Sequence, residues 1–273
     1  MAVLSSIPAE LHLEILRHLD VPSVLQMRSV NEYFYNLIEA NQDTILRASL
    51  WNIECTGPHS TLLKLQPPKD DIYDLMYAKK IYHTKKTITK VAQICELTTN
   101  AKIDALYCID QVCLRSVYLM LNGHFSASSS LSADTSTELL RWDVLGGYTT
   151  PQIQNMVSTS IRIIFKIAEL MGHKFHGSTL HYDDYTRYNA YLVTNRPGMI
   201  VELDRRDLSE RLEYLNGLKR LEVRAWGGLP RMHDELIRFL ETRGQGLMTI
   251  PGIEIQQFFR EQDTLLDMRS AGD

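Results

Sequence analysis

Cysteine is scarce in this 273-residue chain: Cys55, Cys95, Cys108 and Cys113 are all there are, and none stands in a C-x-x-C pair. That spacing excludes the common zinc and dithiol motifs, and the thiols read as reduced and mostly buried. No excess of one charge sign is present either, since the net charge is -4 and the sequence pI about 6.1. Such a balance offers no broad positive field for a phosphate backbone, so nucleic acid is not expected as a partner. Long apolar runs are missing too. The richest, Ile161 to Met171, is broken by Arg162, Lys166 and Glu169, too short and too charged to span a bilayer. At the N-terminus no basic stretch precedes the apolar residues, and Glu10 and Glu14 interrupt them, so no signal peptide is expected. Cytosol or nucleus is the expected compartment.

Signatures of catalysis are equally absent. The chain contains no phosphate loop, no G-x-S-x-G elbow, no dinucleotide fingerprint and no paired-cysteine redox site. Gly146-Gly147 and Gly227-Gly228 lack the flanking residues of a phosphate-binding turn. A non-catalytic protein without cofactor is the expectation. His173, His176, His181, Asp183 and Asp184 could be drawn as a metal cluster, but Gly172 and Gly177 make them read as solvated loop residues. The leucines at 212, 215, 218 and 221 mimic one leucine-rich repeat without a second copy, and a helix turning at Asn216-Gly217 explains them as well.

Helix signals, by contrast, are abundant, and an all-α, or mostly α, fold is expected. Beyond the N-terminal region, Gly57-Pro58 and Pro67-Pro68 mark a boundary, giving a module over 3–48 and a larger helical domain over 69–273. Asp70 and Asp71 look like first-turn charges of a helix running through Tyr77 and Ile81. Further helices are expected over 87–97, from 100 to Asn122-Gly123, from Thr150-Pro151 to Gly172, and over 182–193, 208–215, 233–242 and 253–266. Residues 126–137 read as a surface loop, with a short helix after the capping-box spacing of Thr135 and Glu138. The helix after Pro151 should be central, with an apolar stripe of Ile153, Met156, Val157, Ile161, Ile164, Phe165, Ala168 and Met171, flanked by Ile163, Ile167 and Leu170. Only 199–203 and 221–223 carry strand signals. Lys79, Lys80, Lys85, Lys86 and Lys90, interleaved with Tyr77 and Tyr82, read as a solvated helix face balanced by Asp70, Asp71 and Asp74, or else as a contact for an acidic substrate segment.

The informative stretch is the first forty residues: Ile7-Pro8, Glu10-Leu11, Ile15-Leu16, Leu19-Asp20, Val24-Leu25, Arg28-Ser29-Val30, Phe34 and Leu37. It predicts three short helices, each with one apolar stripe. Pro8 starts the first, and Asp20-Val21-Pro22 turns the chain into the second. Forty residues bury too little surface to hide all those stripes internally, so part must rest on the following domain or on another protein.

This order and spacing resembles the F-box. The family's Leu-Pro start falls on Ile7-Pro8, its paired aliphatics on Ile15-Leu16 and Val24-Leu25, its valine on Val30 and its closing aromatic on Phe34. Asn31 departs from a common cysteine, and Glu32 and Tyr33 from the usual basic residues. A module of this kind ahead of an unclassified helical region is similar to many fungal F-box proteins. The resemblance implies docking onto the Skp-type adaptor, and through it cullin, of an SCF ubiquitin ligase, with an unidentified protein substrate held by the C-terminal region. Ile7, Pro8, Leu11, Ile15, Leu16, Leu19, Val24, Leu25 and Val30 are the partner-binding candidates, entering a groove as apolar anchors. Two alternatives stand beside it: a non-degradative interaction protein using the same module, and a helical enzyme with a pocket converging on His173, His176 and Asp183 or Asp184.

Overall fold

Caps and prolines decide where the first helices begin. Pro8 precedes α1 (Ala9–His18), whose first turn carries Glu10 and whose last turn carries Arg17 and His18, both favourable to the helix dipole. Asp20 then accepts a bond from the Ser23 amide at 2.9 Å and opens α2 (Val21–Arg28), with Pro22 in its first turn. Asn31 does the same for α3 (Glu32–Ala40) through the Phe34 amide at 3.0 Å. This computed structural model describes residues 7–55, 60–121, 146–173 and 182–225. Among them every regular element is helical, and the all-α expectation holds. The expected helices over 233–242 and 253–266, the loop over 126–137 and the helix after Thr135 lie outside the described residues.

The chain divides into two compact units, Met1–Thr87 and Ile88–Asp273. In the first, α1, α2 and α3 gather on α4 (Gln42–Cys55), which also meets α5 (Ser60–Leu65). Leu16, Val24, Ile38, Ile45, Leu46 and Leu50 are completely enclosed there. Pro67-Pro68 leads into a 3-10 turn, Lys69–Asp71, in which Asp70 and Asp71 take positive φ of 55° and 56°. They are therefore not first-turn charges. The acid that opens α6 (Leu75–Ile94) is Asp74, whose carboxylate accepts from the Tyr77 amide at 2.7 Å. One continuous α6 replaces the two helices expected over 70–81 and 87–97. The polar Thr84-Lys85-Lys86-Thr87 stretch contains no Gly or Pro to stop it, and Ile81, Ile88 and Val91 keep one buried face.

In the second unit α7 (Asn100–Leu121), α8 (Thr150–Leu170) and α9 (Tyr182–Asn195) pack on one another, with α10 (Met199–Asp204) against α8 and α11 (Leu208–Ala225) against α9. Every residue of α7 from Ala105 to Cys113 is buried, so this stretch is enclosed all round and shares the centre with α8. On α8 the buried stripe differs from the expected one. It runs through Ile153, Met156, Val157, Ser160, Ile163, Ile164, Ile167 and Ala168, while Ile161, Phe165 and Met171 are partly exposed. A straight helix repeats every 3.6 residues, which favours 160 and 167 over 161 and 165. Ser160 can enter the core because its hydroxyl donates to the Val157 carbonyl at 2.8 Å.

Both strand expectations are corrected. Residues 199–203 form α10, with Met199, Ile200, Val201 and Leu203 buried, and 221–223 lie inside α11. A short apolar run buried on all sides has no diagnostic period, and no neighbouring strand exists among the described residues to pair with it. Likewise α11 continues through Asn216-Gly217 without a turn. Arg211 on α11 donates to the terminal carbonyls Leu203 O and Leu170 O, each at 2.7 Å, closing the ends of α10 and α8 with one cation.

Candidate adaptor-docking surface

On α1 the side chains divide by face. Leu16 is fully enclosed and packs inward with His12, which is 2% exposed. One turn apart on the outer side, Leu11 is 56% and Ile15 48% exposed, and Pro8 precedes them on the same stripe. Val30, in the turn between α2 and α3, is 60% exposed. Ile7, Leu19 and Leu25 are half-buried. The nine sequence-derived candidates thus separate: Leu16 and Val24 hold the module's own core, and Pro8, Leu11, Ile15 and Val30 face outward.

Polar contacts set the rim. His12 Nδ1 lies 2.9 Å from the Tyr33 hydroxyl, and its ring meets Tyr33 and Phe34 edge-on at centroid distances of 5.4 and 5.2 Å. A buried histidine on α1 thereby steadies an exposed tyrosine on α3. Arg28 donates to Glu39 at 2.6 Å while its guanidinium covers the Tyr35 ring at 4.5 Å. Hydrogen bonds from Ser23, first from its side chain and then from its amide, hold the Asp20 carboxyl below its ordinary range. Two exposed aromatics, Tyr33 and Tyr35, were missed by a reading centred on aliphatic anchors. For Tyr33 the signal was a departure, since Glu32-Tyr33 stand where the resemblance leads one to expect basic residues.

The module is also tied to the segment after it. Arg47 on α4 donates to Asp71 and Asp43 and stacks on the Tyr73 ring at 4.4 Å. The Tyr73 amide donates to Asp43 at 3.0 Å and the Leu75 amide to Gln42 at 3.1 Å. Between α1 and α4 an open cleft is lined by Glu14, Arg17, His18, Asp43 and Arg47. Its charges answer one another, Arg17 meeting Glu14 and Arg47 meeting Asp43, and the His18 ring bonds to Glu14 as well.

With this geometry in view, the family model for the F-box domain matches residues 4–45. The N-terminal module is an F-box. Its match ends inside α4, which continues as one helix to Cys55, so the F-box shares a helix with the next part of the chain. No curated protein and no solved structure matches the chain.

Of the remaining sequence candidates, the two with described side chains are engaged with other partners. His173 is bonded to the Tyr188 hydroxyl at 2.7 Å, and Asp184 pairs with Arg187. His176 and His181 lie outside the described residues, as does the Asp183 side chain. Among the described residues no group of three His, Cys, Asp or Glu is arranged to hold a metal ion, and no helix is long and apolar enough to cross a membrane.

Proposed function

We propose that this chain is the substrate-recognition subunit of an SCF-type cullin-RING ubiquitin ligase, non-catalytic and acting in cytosol or nucleus. Its F-box docks onto a Skp-type adaptor, and through it cullin, while the helical region over 69–273 presents a protein target for ubiquitin-dependent degradation. The observation that carries this reading is the division of α1, where Leu16 closes a complete core and Leu11 and Ile15 remain on the outside. Burying such side chains against a partner contributes about 1.5–3 kcal/mol each. Replacing both by Asp removes that contribution and forces two carboxylates toward an apolar groove, weakening adaptor binding by about a hundredfold or more.

The test is a pull-down of Skp adaptor by full-length Leu11→Asp plus Ile15→Asp. Leu16 is left intact because a charge at that enclosed position would unfold the module and make lost binding uninformative. Adaptor capture at wild-type level by the folded double variant would overturn the assigned surface. Cullin co-purification, with target half-life measured in the presence and absence of the chain, separates a ligase subunit from a non-degradative scaffold.

A further inference from the structure

The solvent face of α6 carries a charge pattern that the F-box does not use. Its twenty residues include five lysines and one histidine, with no Asp or Glu among them. Lys79, His83 and Lys86 follow one another at i, i+4 and i+7, with Lys80 beside them, and all four are exposed. Met76, 74% exposed, lies on the same face one turn earlier. The nearby acids make their bonds elsewhere. Asp71 pairs with Arg47, and Asp74 accepts from the Tyr77 amide at the start of α6. No ion pair joins Lys79, Lys80 or Lys86 to a carboxylate among the described residues. The local balance is also inverted along the chain: residues 9–55 carry three Lys or Arg against seven Asp or Glu, residues 60–86 six against three. Like charges at helical neighbour spacing cost stability rather than add to it, so this face is not explained by the helix's own needs.

We propose that Met76, Lys79, Lys80, His83 and Lys86 on α6 form a docking surface for an acidic polypeptide segment. The inference goes beyond adaptor docking and does not depend on it. From Lys79 to Lys86 the helix rises about 10 Å, which an extended chain of three or four residues matches. Lysine ammonium groups are point charges with three rotatable donors, suited to carboxylates in varied poses and not to the bidentate reading of phosphate. Met76 adds an apolar contact at one end. Single-stranded nucleic acid calls for rings on which bases stack. This face offers none, because Tyr77 and Tyr82 are half-buried and the Tyr77 hydroxyl bonds to the Gln66 carbonyl at 2.8 Å. A bilayer surface is disfavoured because the apolar side of α6, including Ala78, Ile81 and Ile88, is already buried and cannot insert.

Fluorescence anisotropy of a labelled oligoglutamate peptide with the full-length chain tests this. Binding should be lost as salt is raised to about 0.5 M. Lys79→Glu with Lys80→Glu and Lys86→Glu should weaken it by about tenfold or more, and the corresponding Gln variant by less. Lys64→Glu with Lys69→Glu and Lys102→Glu, a change of equal charge at other exposed lysines, should leave it near wild type. Unchanged circular dichroism confirms that these surface variants fold. Absence of peptide binding to the wild type, or equal losses in the two charge-reversed variants, would overturn the proposal. So would tighter binding of a single-stranded oligodeoxynucleotide, or of phosphatidylserine–phosphatidylcholine vesicles, than of the peptide.

Discussion

Arg196 shows how one residue can break a local rule for a distant partner. It follows the last turn of α9 with φ of 64°, a left-handed position that glycine would occupy without strain, and Pro197 comes next. Its guanidinium instead reaches Asp110 on α7, with one N–H to carboxylate distance of 2.9 Å and a second, shorter bond. Asp110 is only 4% exposed, so losing that partner leaves a buried carboxylate alone. Arg196→Gly relieves about 1 kcal/mol of backbone strain but orphans Asp110, at a cost of about 3 kcal/mol with allowance for the partly exposed arginine. The net expectation is a loss of about 2 kcal/mol, read from the urea midpoint, with partial recovery when Asp110→Asn is added. A more stable Arg196→Gly protein would mean that the ion pair contributes nothing.

Among the elements, α2 is a short helix whose start rests on Asp20. Its carboxyl is held below the ordinary value of 3.8 by Ser23. A folded-state pKa below the unfolded one gives stability that is present above about pH 4 and lost as pH falls through the depressed value. Asp20→Ala should therefore cost about 1 kcal/mol at neutral pH. The wild-type advantage should shrink in acid, while Asp20→Asn keeps the cap without that pH dependence. Urea unfolding at several pH values checks it, and a pH-independent gap between wild type and Asp20→Ala would refute the assignment. The sequence signals for α1, α2 and α3 were strong because caps, prolines and one-sided stripes agreed. For α8 the stripe was misplaced because a buried serine, Ser160, adds nothing to an apolar pattern, and for α10 because Ile200 and Val201 favour strands. In both, burial on a neighbouring helix overrode a local preference.

Across the second compact unit the described thiols are sealed. Burial pushes Cys95 and Cys108 up to about 12, against the opposing pull of the Arg162 and Lys166 cations on Cys95 and with added repulsion from Asp104 on Cys108, and burial pushes Cys113 higher still. Thiolate is the reactive form, so none of the three should be alkylated at pH 8 in the native protein. All three should react together as urea unfolds this unit, as tryptic peptide mass spectrometry after iodoacetamide would show. Fast native-state labelling of Cys108 or Cys113 would contradict their burial on α7.

Sequence alone was sufficient for the helical class, the F-box at the N-terminus and the identity of its apolar positions, because these are recorded in local spacing, capping residues and proline placement. Which of those positions face outward was a tertiary decision. Leu11, Ile15 and Leu16 have equivalent chemistry, and only the packing of α1 on α4 sends Leu16 into the core while leaving the other two outside. The α6 lysines were visible as a run, and their apparent balance by Asp70, Asp71 and Asp74 came from proximity in the chain. In the fold Asp71 pairs with Arg47 and Asp74 accepts from the Tyr77 amide, and no ion pair joins Lys79, Lys80 or Lys86 to a carboxylate among the described residues.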